Sequence, residues 1–393
     1  MAHYRYLIVG GGMTADAAVH GIREIDSQSS VGLISAESNP PYDRPPLTKG
    51  LWQGQSLEDI WRGIEEFEVE LHLGREVTVL DPERKRVVDH KETMYTFDRL
   101  LLATGGRPQR LPFGDDRIIY FRTLEDYRRL RDLTERGSRF GVVGGGFIGS
   151  EIAAALAMND KDVVMVFPEA GIGGLILPRD LALSLNDYYR QKGVEVLAGE
   201  LITELESDKS QLILKTKGGH EIGVDGVVAG IGIQPNIEVA KAAGLEVGDG
   251  ILVDEFLRTN YPDIYAAGDV AAFCNPALGK RIRVEHEDNA NMMGRTAGRN
   301  LAGDSTPYNH LPFFYSDMFD LGYEAVGEMD PELETVADWK EPYREGVVYY
   351  LEEGRVRGLL LWNVWGQVNA ARKLIAQPGP FQAKDLKGRL PAG

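Results

Sequence analysis

Tyr6-Leu-Ile-Val-Gly-Gly-Gly-Met-Thr-Ala-Asp-Ala-Ala18 is the stretch on which the reading of this chain turns. An apolar run, a glycine cluster and an alanine-rich continuation predict a buried strand, a tight turn and a helix opened by Met13 and Thr14. Gly10, Gly12 and Ala15 stand at the three positions of the G-x-G-x-x-G/A pattern. The first glycine permits the turn, the second lets a pyrophosphate approach the backbone, and the small third residue lets helix and strand pack closely. The helix then offers unpaired N–H groups and the positive end of its dipole to an anion. Taken alone, the pattern fits a plain strand–turn–helix equally well. It occurs twice, however.

Arg139-Phe-Gly-Val-Val-Gly-Gly-Gly-Phe-Ile-Gly-Ser-Glu-Ile-Ala-Ala-Ala155 repeats strand, turn and helix, with Gly144, Gly146 and Gly149 completing the pattern. Asp162–Phe167 reads as the next strand, and Glu169 follows at the distance expected of an acid that accepts from a ribose 2′-hydroxyl. Such an acid repels a 2′-phosphate, and the nearest following arginine is Arg179, so the pattern favours NADH over NADPH. In the first repeat Val31–Ser35 is the corresponding strand. Glu37 after it is either the matching ribose ligand or a surface glutamate, since its spacing is slightly long. Two complete units predict two dinucleotides.

Bulk properties narrow the function. A chain of 393 residues with a net charge of −17 has room for two or three domains and lacks the basic balance expected of a nucleic-acid partner. No apolar run approaches the length of a membrane span. The first strand starts almost at the N-terminus, which leads to the expectation of a cytoplasmic protein. A single cysteine, Cys274, excludes an intrachain disulfide and a redox cysteine pair, and it is expected to be buried as a small apolar side chain.

Between and beyond the repeats, Pro40–Lys49 is a proline-stiffened loop. It either places Arg44 and Lys49 near a phosphate or reactive ring, or is a surface connection. Leu71–Leu80 and Arg84–Tyr95 read as a hairpin, and Phe97–Gly106 as a strand running into a small-residue turn. Thr259–Asp269 reads as a strand ending in Gly-Asp, with Asp269 in reach of a ribityl hydroxyl. Val284–Leu301 reads as a helix whose small residues Ala290, Gly294, Ala297 and Gly298 suit close packing. His286 at its start is either a ligand-facing residue or a cap. The tail holds a hairpin over Gly346–Trp362 turning at Glu353-Gly354, then a helix over Gln367–Gln377. Phe313, Phe314, Tyr315, Trp362 and Trp365 are taken as core. The fold class is therefore α/β, with two Rossmann-like dinucleotide-binding domains and a small C-terminal α+β domain.

Tyr42-Asp-Arg-Pro-Pro-Leu-Thr-Lys49, Ala103-Thr-Gly-Gly106, Gly144–Glu151, Phe167-Pro-Glu169, Ala267-Gly-Asp269, Val284-Glu-His286, Tyr315-Ser-Asp317, Gly322-Tyr-Glu324 and Leu361-Trp-Asn363 together carry a resemblance. The chain resembles the FAD-dependent pyridine nucleotide-disulfide oxidoreductases from end to end. Within them it is most similar to the branch of apoptosis-inducing factor and its bacterial relatives, beside the putidaredoxin and rubredoxin reductases. The resemblance implies an FAD domain in two segments (1–112 and 237–308), an inserted NAD domain (113–236) and a C-terminal interface domain (309–393). It implies FAD contacts from Gly10, Gly12, Met13, Thr14, Glu37, Arg44, Lys49, Val77, Arg122, Asp269 and Glu285. It implies NADH contacts from Gly145, Gly146, Phe147, Ile148, Glu169, Gly232, Glu324 and Asn363. Lys49 and Glu151 are implied as an ion pair near the flavin N5 edge, and His286 and Tyr315 at the flavin–nicotinamide junction. No metal is implied.

The implied reaction is hydride transfer from NADH to FAD, followed by direct loss of electrons to a ferredoxin, a quinone or oxygen. The resemblance leaves room for a homodimer and for a redox-sensing role in place of turnover. Two departures stand out. Tyr315 occupies a position that is usually tryptophan in these relatives, and Met329–Gly346 is too short for the long insertion of animal apoptosis-inducing factor.

Overall fold

The computed structural model describes residues 2–208 and 211–390. The chain divides into two compact units. Unit 1 comprises Met1–Asp43, Ser56–Arg107 and Gln234–Phe313; unit 2 comprises Arg44–Gln55, Pro108–Ile233 and Phe314–Gly393.

Unit 1 is organised on β1 (Ala2–Val9), followed by helix α1 (Met13–Ile25) and β2 (Val31–Ile34). The apolar run Tyr6–Val9 is buried throughout, as expected of a strand covered on both faces. Strands β3 (Val69–His72), β4 (Val77–Asp81), β5 (Arg86–Asp89) and β6 (Met94–Leu102) complete the path β3-β2-β1-β6-β5-β4. The nine-residue β6 pairs with β1 along one edge and shares its other edge between two partners. Its first half pairs antiparallel with β5, and Leu100–Leu102 pairs parallel with the strand Ile264–Ala266. Beta-1, β2, β3 and β6 run parallel, so the chain must cross over between them and the helices cover the sheet.

Three segments differ from the sequence reading. Arg84–Tyr95 is not one strand: β5 ends at Asp89, Glu92 turns with φ +63°, and Met94 and Tyr95 open β6. Leu71 belongs to β3, which lies parallel to β2, and the hairpin begins only at Val77, because Gly74 takes a left-handed turn (φ +62°). The strand expected over Thr259–Asp269 is confined to Ile264–Ala266 and gives way to a short 3-10 turn at Gly268–Val270.

Helix α1 is buried almost all round, from Met13 to Val19 and again at Gly21 and Ile22. Its outer side meets the helix Glu287–Leu301 backbone to backbone. A Cβ on Gly21 would lie 2.1 Å from the Arg295 carbonyl oxygen, and Cβ atoms on Gly294 and Gly298 would lie 2.4 and 2.0 Å from the Thr14 and Ala18 oxygens. The small residues expected for close packing thus have a specific contact to make.

Unit 2 repeats the parallel architecture. Its strands Val194–Ala198, Asp162–Phe167, Arg139–Val143, Gly226–Ala229 and Ile118–Tyr120 lie in that spatial order, all parallel. The helix Phe147–Met158 follows the second glycine turn. A three-stranded antiparallel sheet (Ile202–Asp208, Gln211–Thr216, Glu221–Val224) and a five-stranded antiparallel sheet complete the unit. The latter contains Glu345–Glu352 and Arg355–Trp362, turned by Glu353 and Gly354 with positive φ, and is followed by the helix Val368–Ile375. Trp362 is fully buried there, as expected, but Trp365 is 49 % exposed: it lies past the end of its strand.

Among the described residues, no helix is long and apolar enough to cross a membrane.

Candidate functional site

Both glycine-headed helices open without a side-chain cap, as do the helices Arg179–Gln191, Glu287–Leu301 and Val368–Ile375; what sets the two apart is the glycine turn. The helix Leu124–Thr134 is closed by a full capping box between Thr123 and Asp126. Helix α1 behind Gly12 and the helix Phe147–Met158 behind Gly146 have no side-chain cap. Their first-turn N–H groups are left for a ligand. Each turn also requires its first glycine. Gly10 has φ +129° and a Cβ would lie 2.0 Å from the Ala103 oxygen; Gly144 has φ +110° and a Cβ would lie 2.3 Å from the Gly230 oxygen. At Gly146, by contrast, a Cβ would meet nothing within 4 Å. That open space in front of a helix N-terminus fits a pyrophosphate. Gly145 is held against the Phe167 ring, and Phe147 and Ile148 begin the helix. Glu169 lies just past the strand Asp162–Phe167, where its carbonyl accepts from the Gly199 N–H at 3.0 Å. Gly232 (φ +94°) turns beside Gln109.

In unit 1, Glu37 follows β2 and its Oε2 accepts the Tyr42 hydroxyl at 2.6 Å, so the carboxylate is held in place by the proline loop. Asp269 sits in the turn after Ile264–Ala266, and Glu285 takes a bond from Arg283 Nη1 at 2.8 Å. His286 occupies the N-cap position of the helix Glu287–Leu301 but makes no side-chain capping bond. Burial pushes its imidazole down to about 4, while Asp269 and Asp288 pull the other way, so it is neutral at pH 7. Val77 is a core residue at the head of β4.

Unit 2 assembles three sequence-distant candidates. Lys49 Nζ lies 2.9 Å from Glu151 Oε1, with the two side chains 15 % and 5 % exposed, and 4.5 Å from the centroid of the Tyr315 ring. Arg44 donates through Nη1 to the Arg122 carbonyl at 2.9 Å, which ties the proline loop to the start of the helix Leu124–Thr134. Glu324 and Asn363 lie at the end of the C-terminal sheet. Burial raises the Glu324 carboxyl above the usual range, against the lowering effect of the Gly366 N–H. Asn363 has φ +51°, its Oδ1 accepts from Gly322 N at 2.7 Å and its Nδ2 donates to the Arg344 carbonyl at 2.9 Å. Its amide therefore shapes the end of the sheet.

Sequence reasoning passed over several residues that the structure makes central. Thr48 and Ser316 both donate to Glu151, and Arg62 holds the buried Asp16 of α1. Thr48 and Ser316 sit beside Lys49 and Tyr315 within the quoted motifs; Arg62 carries no motif at all. Cys274 requires a correction. It is exposed, on a strand (Ala271–Asn275) whose neighbours Phe273 and Asn275 point inward, so strand alternation overrides the usual burial of a free thiol. Lys280 and Arg281 stay exposed, although Arg281 donates to the Val253 carbonyl at 3.0 Å, whereas Arg283 is drawn in and binds Asp249, Glu285 and the Asp269 carbonyl.

Comparison with known proteins agrees with this geometry. Residues 4–294 match the family described as pyridine nucleotide-disulphide oxidoreductase, and residues 297–342 and 337–377 match that described as apoptosis-inducing factor, mitochondrion-associated, C-term. The chain is 34 % identical over 416 positions to apoptosis-inducing factor 1, mitochondrial, of Dictyostelium discoideum, covering 95 % of this chain and 78 % of that protein. It is 32 % identical over 397 positions to the ferredoxin–NAD(+) reductase component of the anthranilate 1,2-dioxygenase system of Burkholderia cepacia, covering 97 % of each. The reductase of the covalent putidaredoxin reductase–putidaredoxin complex superposes with a TM-score of 0.89 at 28 % identity, covering 96 % of this chain and 94 % of that one. The chain belongs to the pyridine nucleotide-disulphide oxidoreductase family and is a flavoprotein oxidoreductase that uses FAD and a nicotinamide dinucleotide.

Proposed function

We propose that this enzyme oxidises NADH and passes the electrons directly from its flavin to a small external acceptor, a quinone or oxygen. The observation that carries the reading is the pair of uncapped, glycine-headed helices, one at the end of a parallel sheet in each unit. We assign residues 1–112 and 237–308 to FAD, 113–236 to NADH, and 309–393 to a C-terminal domain. FAD, when bound, supplies the two-electron acceptor for hydride.

The chain's own residues do the rest. The Gly10–Gly12 turn, Met13 and Thr14 hold the FAD pyrophosphate, Glu37 a ribose and Asp269 the ribityl chain. The Gly144–Gly146 turn and the helix it heads hold the pyrophosphate of NADH, and the Glu169 carboxylate accepts from the 2′-hydroxyl. Lys49, fixed by Glu151, presents a positive charge where electron density arrives. In unit 1 the neutral His286 adds no charge beside the flavin, and in unit 2 the Tyr315 ring shields the Lys49 ammonium from water.

Electrons leave without a thiol relay, because the single cysteine has no partner within the chain. A net charge of −17, with Arg283 engaged by Asp249 and Glu285, disfavours fast docking of an acidic ferredoxin. A ferredoxin acceptor is the second reading, supported by the named function of the Burkholderia relative.

The test is steady-state turnover of the purified yellow protein with NADH and NADPH against quinones, oxygen and ferredoxins. Preference for NADH and turnover with quinone or oxygen support the reading. Equal use of NADPH overturns the role of Glu169. Saturable turnover confined to one ferredoxin overturns the choice of acceptor. A folded protein that takes up no FAD overturns the whole reading.

A further inference from the structure

Glu151 is the meeting point of three segments that are remote in sequence. Thr48 Oγ1 donates to its Oε2 at 2.6 Å, Ser316 Oγ donates to its Oε1 at 2.6 Å, and Lys49 Nζ approaches Oε1 at 2.9 Å. Thr48 and Ser316 are themselves 5 % and 1 % exposed, so neither bond competes with bulk water. Thr48 ends the short 3-10 turn Pro45–Thr48, and Lys49 is the next residue. Ser316 lies on the strand Phe313–Met318, and Tyr315 is the residue before it.

One hydroxyl is therefore the chain neighbour of the residue that carries the ammonium, and the other of the ring the ammonium faces. A carboxylate held by one donor can swing about its last torsion; one held on both oxygens from opposite segments cannot. By gripping both segments, Glu151 fixes Lys49 Nζ at 4.5 Å from the Tyr315 ring, a cation–π distance.

We propose that Thr48 and Ser316 are positioning residues of the redox reaction: their hydroxyls lock the Glu151 carboxylate, and through it they hold the Lys49 ammonium against the Tyr315 face. Without the lock, Glu151 samples rotamers that release Lys49, and the ammonium is no longer preorganised for the charge it meets. The catalytic half of this inference rests on the flavoenzyme reading above. The structural half does not, since every atom in it belongs to this chain.

The experiment uses Thr48→Val, which keeps the side-chain shape, Ser316→Ala, and Thr48→Ser as the conservative control, each checked for native circular dichroism. The first readout is the acylation rate of Lys49 by acetic anhydride in FAD-free protein, followed by peptide mass spectrometry. Acylation requires an amine released from Glu151. Loss of one hydrogen bond to a charged group should raise the rate about tenfold in Thr48→Val and Ser316→Ala. Thr48→Ser should match the unmodified protein. The second readout is NADH turnover of the FAD-loaded protein, where kcat should fall about tenfold in the same two variants and KM for NADH stay within about twofold.

Unchanged acylation in folded Thr48→Val and Ser316→Ala overturns the lock. Faster acylation with unchanged kcat overturns its role in the reaction. If one of these variants does not fold, the other decides alone, because each removes a different oxygen's donor. Absence of FAD uptake by the unmodified protein removes the flavoenzyme reading and leaves the acylation result to stand or fall by itself.

Discussion

Helix α1 and the helix Phe147–Met158 start alike and are put to different use. Each follows a glycine turn, lacks a side-chain cap, and buries one carboxylate in its opening turns, Asp16 in the first case and Glu151 in the second. Each carboxylate meets a cation from a distant loop. Asp16 Oδ2 accepts from Arg62 Nε at 2.6 Å; Glu151 Oε1 meets Lys49 Nζ at 2.9 Å. The surroundings then diverge. Arg62 also donates to Asp43 Oδ1 at 2.5 Å and Asn291 Oδ1 at 2.9 Å, so each of its three nitrogens has an acceptor, while Asp16 Oδ1 is buried with no hydrogen-bond partner among the described residues. Around Glu151 the carboxylate is saturated, and the cation has one oxygen and an aromatic face. A filled guanidinium fork is a structural clamp, and an ammonium with donors to spare is a reagent. The same local scaffold thus yields a clamp in one unit and, on the function proposed above, a chemical element in the other.

The comparison breaks first at the cations. Arg62→Ala should destabilise the protein by about 3–5 kcal/mol, because it leaves Asp16 buried and unpaired. Lys49→Met should cost clearly less stability, since Thr48 and Ser316 still serve Glu151, but it should slow NADH oxidation by about a hundredfold. Urea unfolding and turnover of both variants decide it. Equal loss of stability in the two would erase the distinction.

The glycine turns sharpen it next. Gly144→Ala should prevent folding, because both its φ of +110° and the 2.3 Å approach to the Gly230 oxygen exclude a side chain. Gly146→Ala has φ −81° and open space, so it should fold normally while KM for NADH rises about tenfold. A normal KM would mean that the pyrophosphate does not use this space.

A pH effect follows from His286. Its native value of about 4 lies below the ordinary 6.5, so the unfolded chain binds the extra proton first as pH falls. Its contribution to stability should be complete above about 6.5 and fade between about 6.5 and 4. His286→Gln should flatten that part of the Tm profile relative to the unmodified protein; parallel profiles would show that the imidazole has the same proton affinity in the folded and the unfolded chain. The smallest effect belongs to Cys274. Being exposed, it should react with one equivalent of a thiol reagent in the native protein, and Cys274→Ser should keep NADH turnover.

The glycine turns and the hairpin at Glu353-Gly354 were legible in the sequence because local rules determine them: positive φ, helix heads, strand period. So were the residue types at Lys49 and Glu151, through their motifs. Arg62 was not, because its partners Asp16, Asp43 and Asn291 come from three separated stretches and no local pattern joins them. Thr48 and Ser316 stood inside recognised motifs, yet a hydroxyl's role depends on what lies opposite. Cys274 and Trp365 were misjudged for one reason: residue type was allowed to outweigh place, on the outer face of a strand and past the end of another.

The contact between α1 and the helix Glu287–Leu301 also sets an order of assembly. Arg295 bonds Glu24 across 271 positions of chain. At a synthesis rate of roughly 5–20 residues per second, α1 leaves the ribosome roughly a quarter to nearly a full minute before the helix that covers it. Throughout that interval the glycine and alanine face of α1 has no mate, whereas the parallel sheet of unit 2 is drawn from one continuous stretch of chain and can close on its own. Unit 1 is thus begun first but cannot close until the helix Glu287–Leu301 has emerged, which lengthens the time it depends on chaperones during synthesis.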